Sequence, residues 1–566
     1  MTTRFAIHRC RPARARSRPG GRAIALLTTL LVLANCNPTL PPAAPTDTPV
    51  PPPSGESGWW NDAVFYQVFV RSFYDSDGDG IGDLPGLIEK LDYLNDGDPT
   101  TSDDLGVSGI WLMPIAQSPS YHGYDVTDYM TVEQDYGTNE DFRALIDAAH
   151  ARGIRVIVDL VLNHTSAAHP WFVNATVGPD ATYRDWYVWS EENPGYNGPW
   201  DQRVWHRRGD DFYYGLFWDQ MPDLNYRNPQ VTAAMHDVAH FWLVDMGADG
   251  FRLDAARHLV EEGQQQENTA ATHAWLADFD RFTDDVGPDV LTVGEVWDDT
   301  SQAASYVVDD ELDLVFEFDL ASAIVDGVDN GIPDWLAYVV TQAQSAYPQG
   351  QYATFLTNHD QERVMSELGG DVDQARLAAT LLLTLPGVPF IYYGEEIGMS
   401  GQKPDPSIRT PMQWSDDAHA GFTTRRPWNP VNEDYATINV AAESADPHSL
   451  LSHYRRLIHL RSDHVALRWG ELIPLESSCN RVYAFLRHHE TETLLVVANF
   501  GAERERNCTL SLFAGPLSPG EYHALDLLTD TRAGDLSVGQ DGAFSYIPRG
   551  NLPPRQGIVL LLERRE

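Results

Sequence analysis

The chain has 566 residues, of which 43% are hydrophobic and 21% charged, and its 82 acidic against 39 basic side chains give a net charge of −43. That length exceeds a single compact core, so two or three domains are expected. The charge argues against nucleic acid and anionic membranes as partners, because such a surface repels both, whereas neutral sugars feel no such repulsion. Lys90 and Lys403 are the only lysines. An acidic, lysine-poor surface suits a salty medium, and a genomic bias towards arginine explains it equally well.

Residues 1–36 read as an export signal. Arg4, Arg11, Arg14, Arg16, Arg18 and Arg22 form a basic stretch, and the apolar run from Ala23 to Ala34 is too short to span a bilayer comfortably. The run ends in Leu33-Ala34-Asn35-Cys36, which resembles a bacterial lipobox whose Cys is lipidated and becomes the mature N-terminus. Asn35 departs from the Gly, Ala or Ser usual there, and a plain cleaved signal is the alternative. A lipid on Cys36 is the only membrane contact expected. Residues 37–57, rich in Pro, Ser and Thr, cannot bury a core and read as a linker.

From residue 58 short apolar runs alternate with helical patterns. The runs are 63–70, 109–115, 154–162, 249–253, 290–296, 314–318, 352–356 and 389–393. Helical patterns occupy 84–94, 139–151, 232–246 and 375–384, and a last helix is expected over 447–462, with Asp446 as N-cap and Pro447 at the first helical position. Eight apolar strands, most followed by a helix, predict an α/β fold with a parallel sheet closed into a (β/α)8 barrel. The barrel is expected over 58–163 and 229–467. An aromatic-rich insertion after the third strand (164–228) is too long for a simple loop. Short alternating strands at 482–486, 494–499 and 557–562 predict a C-terminal antiparallel β domain over 468–566. There Cys479 and Cys508 are expected to pair as a disulfide in an exported protein. No Cys/His spacing suggests zinc.

Barrel enzymes place their chemistry at the C-terminal ends of strands. Three runs here end in carboxylates: Asp254 in Gly250-Phe251-Arg252-Leu253-Asp254, Glu295 in Val293-Gly294-Glu295, and Asp360 in Thr357-Asn358-His359-Asp360. Such a trio can converge on one pocket and cleave a glycosidic bond. One carboxylate attacks the anomeric carbon, a second protonates the leaving oxygen, and a third holds the ring hydroxyls. Arg252 lies two residues before Asp254, so both side chains share one face of the strand, where a guanidinium keeps the nucleophile ionised. Glu295 needs a raised pKa to keep its proton.

These segments resemble the signature regions of the α-amylase family of glycoside hydrolases. Asp159-Leu160-Val161-Leu162-Asn163-His164 resembles the first region, residues 250–258 the nucleophile region, Gly294-Glu295-Val296-Trp297 the acid region and residues 357–360 the stabiliser region. Met221-Pro222-Asp223-Leu224-Asn225 is similar to the motif closing the inserted domain, and Tyr121-His122-Gly123-Tyr124-Asp125 to the second-strand loop whose Tyr stacks on the sugar. The resemblance implies a C-terminal β-sandwich. It also implies Asp254 as nucleophile, Glu295 as acid/base and Asp360 as stabiliser, with Tyr124, His164, Arg252 and His359 around the sugar at the cleavage point.

The resemblance extends to calcium. Asp75-Ser76-Asp77-Gly78-Asp79-Gly80-Ile81-Gly82-Asp83 follows the first strand with acids at every second position, which suits a hard cation. Some family members carry calcium in this loop, which implies the side chains of Asp75, Asp77, Asp79 and Asp83 and the carbonyl of Ile81 as ligands. A second family site would involve Asn163 and His258. Specificity signals are mixed. Arg257 and His258 resemble α-amylases, where they grip glucose units beyond the cleavage point. Asp125 with Arg409 resembles exo-acting α-glucosidases and trehalose-forming enzymes, where the pair closes the pocket. The form of the insert motif is intermediate between oligo-1,6-glucosidases and neopullulanases. Export favours a polymer-degrading enzyme. The expectation is therefore a monomeric endo-acting α-amylase on α-1,4-glucans, with an α-glucosidase or glucan transferase as the alternative.

Overall fold

The computed structural model describes residues 58–565; the expected signal, Cys36 and the Pro-rich linker lie outside the described residues. Eight strands run parallel: β1 (Phe65–Val68), β2 (Gly109–Leu112), β3 (Arg155–Leu160), β4 (Gly250–Leu253), β5 (Leu291–Gly294), β6 (Leu314–Val315), β7 (Ala353–Thr354) and β8 (Val388–Tyr392). Each pairs with its neighbour in chain order, β8 pairs back onto β1, and a parallel bridge from Phe316 to Ala353 joins β6 to β7 and closes the ring.

Strand parity divides the side chains into two sets. Tyr66, Val68, Ile110, Leu112, Val156, Val158, Phe251 and Leu253 face outward into the apolar layer under the helices. Phe65, Trp111, Ile157, Leu291, Val293, Leu314 and Phe390 fill the interior, where Phe65 stacks on Phe390 with centroids 4.4 Å apart. Both faces are covered, which is why the strands read as continuous apolar runs. The same parity turns Gln67, Asp159 and Arg252 inward at the C-terminal end of the barrel.

Several elements differ from the sequence expectation. Strands are shorter than their apolar runs, β6 and β7 having two residues each, because the flanking apolar residues pack as loop and helix ends. The 84–94 pattern breaks at Lys90 into Leu84–Glu89 and Leu91–Leu94. The 232–246 pattern becomes a helix over Pro229–His240 followed by a wider π-type turn. The last long helix runs Leu450–Asp463, with the Ser449 hydroxyl accepting from the Ser452 N–H as N-cap. Asp446 instead closes a local turn by accepting the His448 N–H at 2.8 Å.

The insertion after β3 carries a three-stranded antiparallel sheet (Trp189–Ser190, Asp211–Tyr214, Trp205–Arg208) with its own small apolar cluster around Val204 and Leu216. Trp205 and Tyr214 belong to that cluster, most of the other rings, such as Phe172, Trp186 and Tyr187, join the main core, and Trp200 and Trp218 stay about half exposed. The C-terminal domain is a sandwich of a seven-stranded and a three-stranded antiparallel sheet. On its strand Val482–His489, Tyr483 and Phe485 pack on the barrel layer while Val482, Ala484 and Leu486 pack inside the sandwich, an alternation of period two. Cys479 and Cys508 form a disulfide.

Candidate active site

Arg252 organises the pocket from inside the barrel. Its side chain is fully buried, and Nη1 lies 2.7 Å from Asp254 Oδ1 and 2.9 Å from Asp159 Oδ1, while Nη2 lies 2.9 Å from Glu295 Oε2. Asp159 sits directly beside Arg252 in the β3–β4 register. Its other oxygen accepts from Tyr124 OH at 3.1 Å and Trp111 Nε1 at 3.3 Å. Ala255, immediately after Asp254, takes a left-handed conformation at φ 49° that a side chain disfavours, and its N–H donates to Glu295 Oε2 at 3.1 Å. Asp254 and Glu295 are therefore each anchored through one oxygen. Asp254 Oδ2 and Glu295 Oε1 accept no hydrogen bond among the described residues.

The electrostatics set Asp360 apart from the other two carboxylates. Burial raises the Glu295 pKa, and although Arg252 opposes this, Asp254 and Asp360 add to the rise. Burial also raises Asp254, against the pull of Arg252, which is hydrogen-bonded to it. Asp360 goes the other way. Burial works to raise it, but His359 (3.2 Å) and Arg409 (Nη2 at 2.8 Å) outweigh that and hold the carboxyl well below the usual range. Burial therefore pushes Asp254 and Glu295 in the same direction, and Asp360 alone of the three is held towards its ionised form.

The catalytic-domain model of the α-amylase family matches residues 67–470. The chain belongs to the α-amylase family of glycoside hydrolases. An α-amylase 3 of Dictyoglomus thermophilum is 42% identical over 445 residues, spanning 78% of this chain and 85% of that one. An oligo-1,6-glucosidase of Parageobacillus thermoglucosidasius is 34% identical over 525 residues, spanning 79% and 91%. Among solved structures, the α-amylase from H. orenii superposes with a TM-score of 0.78 at 42% identity, covering 88% of this chain and 99% of that one.

Around this family centre, burial shifts the histidines towards their neutral form. Burial lowers His122 and His164 to about 4 and, with Arg257 beside it, His258 to about 3; it lowers His359 as well. They act as hydrogen-bonding groups, which suits an uncharged polyol. His359 is fixed by Gln67 Nε2 at 2.8 Å and by Tyr124 OH at 2.6 Å, and the Tyr124 and His359 rings lie within 12° of parallel. His164 Nε2 lies 3.1 Å from the Tyr124 carbonyl. Arg257 is pinned by Asp298 at 3.0 Å and Glu267 at 3.2 Å, and donates to His258 Nε2.

Asp125 and Arg409 each have other partners. Asp125 accepts from Ser118 at 2.7 Å and from Ser120. Arg409 engages Asp360, the His359 carbonyl and, at 3.5 Å, Asp405. The pair expected from exo-acting relatives therefore forms no direct ion pair in this structure.

In the loop after β1, oxygens of Asp75, Asp77 and Asp83 lie within 4.8 Å of one another. Gly78 and Gly80, at φ 80° and 102°, make the turns that fold these acids together, and Asp75 accepts both of their N–H groups. Asp79 is not one of the three. It accepts the Ile81 N–H at 2.7 Å, and burial together with Asp77 and Asp75 raises its pKa. The oxygen-only donor set suits a hard cation. Asn163 leaves its buried Oδ1 without a partner while its amide donates to Asp223 at 3.1 Å.

Sequence reasoning missed four residues of the site. Asp159 and Gln67 carried a signal, being polar residues at inward positions of otherwise apolar strands. Trp297, 39% exposed and stacked on Phe318 at 4.6 Å, lay within the acid signature region but was given no role, and Asp405 carried no signal beyond its proximity to Arg409.

Proposed function

We propose that the chain is an exported, retaining α-amylase that cuts α-1,4 bonds inside starch-like glucans and maltooligosaccharides. The observation that carries this reading is the double grip of Arg252 on Asp254 and Glu295, at 2.7 and 2.9 Å. Carboxylates held on adjacent nitrogens of one guanidinium sit close together. That favours the spacing of about 5–5.5 Å used by retaining enzymes over the roughly 6.5–9.5 Å that leaves room for water in inverting ones. In the first step Asp254 Oδ2 attacks the anomeric carbon as the glycosidic C–O bond breaks. The proton on Glu295 Oε1 passes to the leaving oxygen. In the second step Glu295 takes a proton from water, whose oxygen displaces Asp254 from the glycosyl ester. Asp360, Tyr124, His164 and His359 hold the sugar hydroxyls.

Endo action is supported by the α-amylase-like Arg257 and His258, with Arg257 held by Asp298 and Glu267. Calcium in the Asp75–Asp83 loop belongs to the same proposal, held by Asp75, Asp77 and Asp83 with Ile81 O, and with Asp79 joining if its side chain turns; its role there is to tie the loop together. Export, with lipidation at Cys36, is supported by the Cys479–Cys508 disulfide, which persists in oxidising compartments. The time course of products from soluble starch tests the activity. Mixed maltooligosaccharides released early with the α-anomeric configuration are expected. Glucose as the sole early product would overturn endo action in favour of the α-glucosidase or transferase alternative.

A further inference from the structure

The helix Asp334–Ala346 lies on the outside of the barrel, with Leu336, Val339, Val340 and Ala343 on its buried face. Its outer face presents Trp335 and Tyr338, 50% and 54% exposed, with ring centroids 5.3 Å apart and planes within 22° of parallel. Lone exposed rings are common on soluble proteins, but two aligned rings held one helical turn apart form a platform.

The surroundings say what such a platform can meet. In a chain of net charge −43, no Asp, Glu, Lys or Arg occurs from Trp335 to Asn358. The next exposed positions along the helix are Thr341, Gln342, Gln344 and Ser345. The Thr341 and Ser345 hydroxyls donate back to helix carbonyls at 2.9 and 2.8 Å, which leaves their oxygens as acceptors. A neutral surface of stacked rings followed by hydroxyls and amides matches a neutral polyol with apolar ring faces. Asp334, at the start of the helix, is its only charged side chain. A second protein copy is disfavoured by size. Two half-exposed rings supply roughly 200 Å², against about 800 Å² per partner in a stable interface.

We infer that Trp335 and Tyr338 form a second α-glucan-binding site, outside the catalytic pocket, that holds the enzyme on polymeric substrate. The inference rests on the reading of the chain as an α-glucan hydrolase. Its test is affinity electrophoresis through gels containing amylopectin, in the Glu295→Gln background so that the polymer is not digested. Adding Trp335→Ala and Tyr338→Ala should weaken retardation about tenfold, as expected for loss of aromatic anchors. In the active enzyme the same two changes should slow digestion of starch granules while leaving maltopentaose hydrolysis and the melting temperature unchanged. Retardation equal in both backgrounds overturns the inference, as does a sedimenting dimer that the two changes dissociate. Failure of the proposed activity would show separately, as absence of maltopentaose hydrolysis by the unmodified enzyme.

Discussion

Replacing Arg252 by Met removes the single positive charge shared by three buried carboxylates. Met fills much of the space but leaves Asp159, Asp254 and Glu295 without their ion-pair partner. With charges about 4 Å apart and an effective dielectric constant near 20, each lost contact is worth at most about 4 kcal/mol, or about three pKa units. Asp254, already raised by burial, rises further. The nucleophile must be ionised, so activity is lost as pH falls through its pKa, and the acid limb of kcat/KM on a maltooligosaccharide should move to higher pH by more than one unit. Stability should fall by about 3–5 kcal/mol at neutral pH, as when one partner of a buried ion pair is removed. The sign of its pH dependence is fixed. A carboxyl with a raised folded pKa binds its proton more tightly folded than unfolded, so the deficit should shrink as pH falls. Rate measurements across pH and thermal melting at two pH values check both effects. An acid limb left in place, with kcat/KM within tenfold of the parent, would refute the role given to Arg252.

Glu295→Gln should lower kcat on an unactivated maltooligosaccharide by about 10²–10⁴, the usual worth of a general acid, and far less on a maltosyl fluoride, whose leaving group needs no proton. Because burial raises Glu295, with Asp254 and Asp360 adding to it, the parent enzyme should lose activity as pH rises through that raised value, and this basic limb should vanish for the fluoride. Chelation followed by calcium titration should raise the melting temperature in steps that saturate, with about 2.7 kcal/mol of stabilisation at a hundredfold excess over Kd; Asp77→Asn should weaken the response, and a flat titration would remove calcium from the loop. Changing Cys479 and Cys508 both to Ser opens a loop with a sequence separation of 29, and should cost about 3 kcal/mol in chemical denaturation.

Much of this architecture was legible in the chain because buried parallel strands leave apolar runs, and because three of those runs end in acids. Parity within a strand was equally informative, since it put Arg252 on the side of Asp254 before any coordinates. Other features depend on packing that a linear pattern does not carry. The last helix starts at Ser449 because its hydroxyl reaches the Ser452 N–H, while the equally suitable Asp446 is spent on a turn. The strand Gly520–Asp526, with His523 and Glu521 facing outward, reads as polar and escaped notice. Whether Asp125 meets Arg409 depends on how two loops from opposite ends of the chain approach each other. Specificity is therefore harder to read than chemistry.

The shared guanidinium has a consequence for the pocket's charge. Before the proposed reaction Asp254 is negative and Glu295 neutral; in the glycosyl intermediate Asp254 is a neutral ester and Glu295 is negative. Arg252 contacts both residues through separate nitrogens. Of these two residues only one is therefore negative before the reaction and in the intermediate, and the nitrogen that faces the charge changes while Asp159 stays on Nη1 throughout. The barrel interior never gains or loses net charge during turnover, so the protein need not rearrange its dipoles to follow the chemistry.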